Sequence, residues 1–227
     1  MYTLYIGNKN YSTWSLRGWL ATKLSGAPFR EVQVPLLGGG RNPANLAFSP
    51  SGLLPVLHDG DVVVWDTLAI AEYLAERHAG MWPQDAAARA FVRSMCAEMH
   101  SGFSALRNEM TMCIRERLDV RPWSEALTAD IARVEALWNE SRRRFGADGE
   151  YLCGRFSLAD CFFGPVAFRF QTYGVKPGGA AATYLASLLA HPFVQEWQSA
   201  ALAETTIVEP DEPRVIYRDK LARSARA

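Results

Sequence analysis

Apolar positions in the first third of the chain fall in short runs separated by turn residues. Tyr2-Thr3-Leu4-Tyr5-Ile6 reads as a buried strand. Polar positions 8–15 follow, and then Leu16, Trp19, Leu20 and Leu24 recur at helical spacing until Gly26-Ala27-Pro28 stops the helix. Residues 29–34 read as a second strand. Ser51-Gly52-Leu53-Leu54-Pro55-Val56-Leu57 is a turn entering a strand, Asp59-Gly60 is a hairpin turn, and Val62-Val63-Val64 is its partner strand. Asp66-Thr67 precede an apolar-periodic helix carrying Leu68, Ala71, Tyr73, Leu74 and Ala75. The expected order is βαβ, a loop, then ββα.

Beyond about residue 85 the strand pattern gives way to long helical periodicity. Helices are expected over 86–117, 123–145, 158–173 and 181–189. The change falls at Gly80-Met81-Trp82-Pro83, so we expect an α/β domain over 1–80, a linker at 81–84 and an all-helical domain over 85–227. Gly38-Gly39-Gly40 reads as a flexible loop, because it lacks the spacing and the Lys-Ser/Thr of a phosphate-binding loop.

The 227 residues, 49% of them hydrophobic and 21% charged, suit two small domains with real cores. Lys+Arg and Asp+Glu both count 24. A nucleic-acid binder normally carries a basic excess, so this balance argues against nucleic acid as a partner. Cys96, Cys113, Cys153 and Cys161 form no CxxC pair and have no histidine at zinc-ligand spacing, so reduced thiols and no metal are expected. No apolar run reaches the ~18 residues of a membrane span. Met1 leads directly into a strand pattern rather than a signal peptide, which favours a cytoplasmic protein.

The chemistry-bearing candidates sit where helices begin. Ser12, Thr13 and Ser15 lie between the first strand and the first helix, where unpaired N–H groups and the positive end of the helix dipole meet. A thiolate placed there is stabilised: a drop of about two units from a thiol pKa of ~8.5 leaves it mostly ionised at neutral pH. A hydroxyl such as that of Ser12 would add a hydrogen bond, although plain capping also explains these residues. Leu54-Pro55 stands at a strand entrance, where proline cannot donate to the ladder. If cis, the bond would turn the Leu54 backbone outward to pair with an extended peptide; an ordinary trans proline is the alternative. Asp66-Thr67 at a helix start offer a carboxylate for an ammonium, and a hydroxyl and backbone donors for a carboxylate, which together fit an α-amino acid end. Simple N-capping again explains each alone.

The order and spacing of these signals resemble the glutathione transferase superfamily along nearly the whole chain. In that family a thioredoxin-like N-terminal domain carries a cis-proline after the apolar residue that binds the cysteinyl part of glutathione, here Leu54-Pro55. An acid–Ser/Thr pair holds the γ-glutamyl end, here Asp66-Thr67. Gly154-Arg155-Phe156-Ser157-Leu158-Ala159-Asp160 is similar to the family's capping box, a structural motif. Ser12-Thr13-Trp14-Ser15-Leu16-Arg17 resembles the serine-type loop of the zeta class, with Trp14 in place of that pattern's Cys. Leu53, where many relatives are polar, and Asp66, shorter than the usual Glu or Gln, also depart from the pattern.

The resemblance implies glutathione as co-substrate, a transferase or isomerase activating its thiol for attack on a small electrophile, and a homodimer. Ser12 is favoured as the activating hydroxyl by its spacing from Arg17. Tyr11, Trp14, Phe103, Arg107 and Met110 are candidates for the electrophile's wall, with ordinary packing as their other explanation. A non-catalytic interaction module of the same fold and a glutathione-dependent peroxidase are the alternative functions.

Overall fold

The computed structural model describes residues 1–36, 38 and 40–218. Leu37, Gly39 of the expected flexible loop, and 219–227 at the end of the expected helical domain lie outside the described residues.

β1 (Tyr2–Ile6), α1 (Thr13–Leu24) and β2 (Phe29–Gln33) form the first βαβ unit, and β3 (Val56–Asp59), β4 (Val62–Trp65) and α2 (Thr67–Ala75) form the ββα unit. The four strands lie in the order β2-β1-β3-β4. β1 and β2 are parallel, with Tyr2 opposite Phe29; β3 is antiparallel to β1 and to β4. This is the α/β thioredoxin-like arrangement expected from the sequence. The alternation of β1 buries Tyr2, Leu4 and Ile6, its core-facing side.

Helices then follow: α3 (Ala86–Ser101), α4 (Ser104–Glu109), α5 (Glu125–Phe145), α6 (Leu158–Thr172), α7 (Ala180–Ala190), α8 (Pro192–Ala203) and α9 (Pro213–Ile216). The helix expected over 86–117 is not continuous. It breaks at Gly102 and Phe103, where Phe103 takes the left-handed φ of 60° that no helix interior accepts. After Glu109 the chain runs irregularly to α5, and Met110, Met112, Cys113 and Ile114 are buried there. Their apolar spacing reflects that buried path rather than a helix.

α1 is buried on nearly all sides, which explains its lack of a clean apolar stripe. Two glycines permit its close packing. A Cβ on Gly18 would come within 2.8 Å of Pro55, and one on Gly164 of α6 within 2.8 Å of Leu20. One apolar core runs through both halves, joining Leu16 and Leu20 to Phe162 and Phe163. Met81 and Trp82 of the expected linker are buried, and the Met81 carbonyl accepts from Leu158 N–H at 2.9 Å. The capping box forms ahead of α6. The Asp160 carboxylate accepts from Ser157 N–H at 2.8 Å, from the Ser157 hydroxyl at 3.1 Å and from Leu152 N–H at 3.2 Å.

Candidate active site

The starts of α1 and α2 and the turn into β3 open on one cleft of about 920 Å³ between the sheet and the later helices. At α1, Ser12 is the N-cap: its Oγ accepts from Ser15 N–H at 3.3 Å and donates to Ser15 Oγ at 2.7 Å. Ser15 Oγ also accepts from Gly7 N–H at 2.9 Å. The fully buried Ser15 therefore ties the end of β1 to the helix and stands behind Ser12, outside the cleft lining. Thr13, the first helical residue, lines the cleft, and among the described residues its hydroxyl has no hydrogen-bond partner.

The ring of Trp14 carries the Arg17 guanidinium at 4.7 Å and that of Arg107 at 4.9 Å, with the His100 ring edge-on at 5.2 Å. Arg17 is buried. Its Nε donates to the Phe162 carbonyl at 3.1 Å, and among the described residues its two terminal nitrogens have no hydrogen-bond partner. Burial, with Arg107 and Arg169 nearby, holds its pKa well below the ordinary value.

The Leu54-Pro55 peptide bond is cis, as the resemblance requires; Arg121-Pro122 is a second cis bond. Leu54 and Pro55 both line the cleft. The turn leading to them is held by Ser49, whose hydroxyl donates to the Leu53 carbonyl at 2.7 Å.

Asp66 caps α2 from a left-handed φ of 74°. One carboxylate oxygen accepts from Leu68 N–H at 2.8 Å, and the other lies 3.1 Å from His100 Nε2. Thr67 is 1% exposed, and among the described residues its hydroxyl has no hydrogen-bond partner although Thr67 lines the cleft. A buried hydroxyl without a partner is costly in an empty interior, so this one fits a polar ligand beside Asp66.

The far wall is basic. Arg107 and Arg169 both line it, and neither forms an ion pair among the described residues. Arg169 is buried and spends its Nε on the Met110 carbonyl. Burial, and then Arg107, brings its pKa down to about 10, so it stays charged at neutral pH. Asp211 lies in the same wall, its pKa raised by burial against the opposing influence of Arg169. Tyr11 reaches the cleft, but its hydroxyl donates to Glu212 at 2.9 Å; burial and that bond push its pKa up to about 12.

Tyr11, Ser12, Thr13, Trp14, Leu54, Pro55, Asp66, Thr67 and Arg107 thus share one cleft. Phe103 and Met110 do not line it. Phe103 is taken up by the sharp turn between α3 and α4, and the Met110 side chain is fully buried in the core. Sequence reading missed His100, Arg169 and Asp211. Each reaches the site from a distant element, and no spacing in the chain marks it.

Residues 11–77 match the glutathione S-transferase N-terminal domain family, and 122–197 match the corresponding C-terminal domain family. Maleylacetoacetate isomerase of Pseudomonas aeruginosa is 28% identical over 223 residues, covering 88% of this chain and 99% of that protein. Glutathione S-transferase 1 of Dianthus caryophyllus is 30% identical over 171 residues, covering 71% of this chain and 74% of its own. A crystal structure of a glutathione transferase homologue from Burkholderia BGR1, with bound glutathione, superposes with a TM-score of 0.67 at 22% identity. It covers 89% of this chain and 99% of that one. With the fold, the capping box and the two helix starts on one cleft, these matches agree over both halves: the chain belongs to the glutathione S-transferase family.

Proposed function

We propose that this protein is a glutathione-dependent transferase or isomerase whose cleft holds glutathione along Leu54 and between the starts of α1 and α2. The observation that carries this reading is the buried Thr67 hydroxyl, without a hydrogen-bond partner among the described residues and next to Asp66 in the cleft. It supplies a donor for a carboxylate, Asp66 an acceptor for an ammonium, and the start of α2 further backbone donors. Glutathione supplies the thiol. The start of α1, with the hydroxyls of Ser12 and Thr13, favours the ionised sulfur over the protonated one.

Arg107 and Arg169, which form no ion pair among the described residues, favour an electrophile that itself bears a carboxylate. That chemistry suits the isomerase reading, and the Pseudomonas aeruginosa relative is named for such a reaction. Trp14 stands in the loop where the zeta pattern has Cys, so sulfur activation falls to hydroxyls and backbone here. We further read 1–80 and 85–227 as the two domains, the protein as cytoplasmic, and the assembly as a homodimer.

Thr67→Val keeps the shape of the side chain and removes its hydroxyl. Glutathione affinity, measured by titration calorimetry, should fall by about ten- to a hundredfold, the loss expected for one hydrogen bond to a charged group. Unchanged affinity would refute this placement of the γ-glutamyl end.

A further inference from the structure

Asp66 does not stand alone at the mouth of α2. His100, in the last turn of α3, places its Nε2 3.1 Å from the second Asp66 oxygen. The two residues are 34 positions apart, and the contact crosses from the helical half of the chain to the α/β half.

The ring is held on several sides. It stands roughly perpendicular to the Trp14 ring, with centroids 5.2 Å apart, and lies 6.4 Å from Phe162 of α6. Its backbone is clamped by Arg107, whose guanidinium donates to the carbonyls of Met99, His100 and Gly102. Its buried Nδ1 has no hydrogen-bond partner among the described residues. A ring nitrogen facing a carboxylate is a donor, so in the neutral ring the hydrogen belongs on Nε2 and Nδ1 is an acceptor. Burial and the neighbouring Arg17 and Arg107 oppose a charge on this ring, while Asp66 favours one; the net effect lowers its pKa.

We propose that His100 is a positioning residue for glutathione, holding the Asp66 carboxylate in the orientation that receives the γ-glutamyl ammonium. The proposal rests on the reading of Asp66 given above. With one oxygen fixed by Leu68 N–H and the other by His100, the short Asp66 side chain keeps a single rotamer. A neutral donor fixes that rotamer and leaves the full negative charge for the incoming ammonium. A cationic side chain in the same place would compete with it. The C-terminal half thereby sets the affinity of a site built otherwise from the N-terminal half.

The test uses the full chain, with glutathione and with its analogue lacking the α-amino group as ligands, read by titration calorimetry. His100→Ala should weaken glutathione about tenfold, raise the KM for glutathione by a similar factor, and leave kcat and the KM for the electrophile nearly unchanged. His100→Gln, whose side-chain amide can donate from a similar reach, should recover most of the loss. The analogue, with no ammonium, should bind wild type and His100→Ala equally. In an Asp66→Asn background, His100→Ala should add nothing further. If Asp66→Asn weakens glutathione but His100→Ala and His100→Gln do not, the inference fails and the reading of Asp66 stands. If Asp66→Asn itself has no effect, both fail. Equal weakening of glutathione and analogue by His100→Ala, without rescue by glutamine, would mark a packing defect and overturn the positioning role.

Discussion

A serine hydroxyl has one proton to give, and in this structure Ser12 gives it to Ser15 Oγ at 2.7 Å. To donate to a sulfur in the cleft it must turn. Ser15 is not left without a partner when it does, because Gly7 N–H still donates to it. Thr13 is the competitor, with a hydroxyl that has no hydrogen-bond partner among the described residues. We expect Ser12→Ala to raise the pKa of bound glutathione and to slow turnover about ten- to a hundredfold with little loss of binding. Thr13→Val should have a smaller effect. Ser15→Ala should chiefly destabilise the loop between β1 and α1, seen as a lower unfolding midpoint. A shift caused by Thr13→Val but not by Ser12→Ala would transfer the role to Thr13. The protein's own cysteines offer no substitute sulfur. Cys96, Cys113 and Cys161 are buried, and burial raises the pKa of all four thiols, with Cys113 and Cys153 at about 11.

At the scale of elements, α6 depends on its capping box. Burial pushes the Asp160 carboxyl up to about 6 in spite of the bonds from Leu152 and Ser157. With a folded pKa above the unfolded value near ~3.9, the stabilisation from this group is fully present below the unfolded pKa and is lost as pH rises through the folded one. Asp160→Ala leaves buried donors without an acceptor and should cost about 2–3 kcal/mol in urea unfolding. The gap from wild type should be larger at about pH 4 than at neutral pH. A constant gap, or one that widens toward neutral pH, would contradict this. The thiol pKa of bound glutathione should be untouched, since Asp160 lies outside the cleft lining.

Strands, turns and helix starts were legible because each leaves a local mark: the alternation of Tyr2–Ile6, the Asp59-Gly60 turn, the Ser157–Asp160 spacing. The break at Phe103 was not. A left-handed residue that is neither Gly nor Asn has no local signature, and the buried methionines after it imitate helical periodicity.

For the whole molecule, the site is a product of two halves meeting. Ser12, Leu54 and Asp66 come from the α/β half and could be ranked by motif. Arg107, Arg169 and His100 come from helices whose registration against α1 depends on packing such as that of Gly164 on Leu20. No sequence spacing encodes that contact. A contact with a second copy is expected from α2, which begins beside Asp66, and from the long helix α3 that follows Asp85. Sedimentation equilibrium at micromolar concentration should return a dimer mass. A monomer for the wild type would refute the assembly.

The proposed chemistry requires that the cleft ionise a bound thiol. The most direct test is the thiolate absorbance of glutathione bound to the wild-type protein, followed against pH. The titration should lie about two units below the ~8.5 of a free thiol and move back toward it in Ser12→Ala. A bound thiol that titrates as it does in water, with glutathione shown to be seated by calorimetry, would refute thiol activation by this cleft.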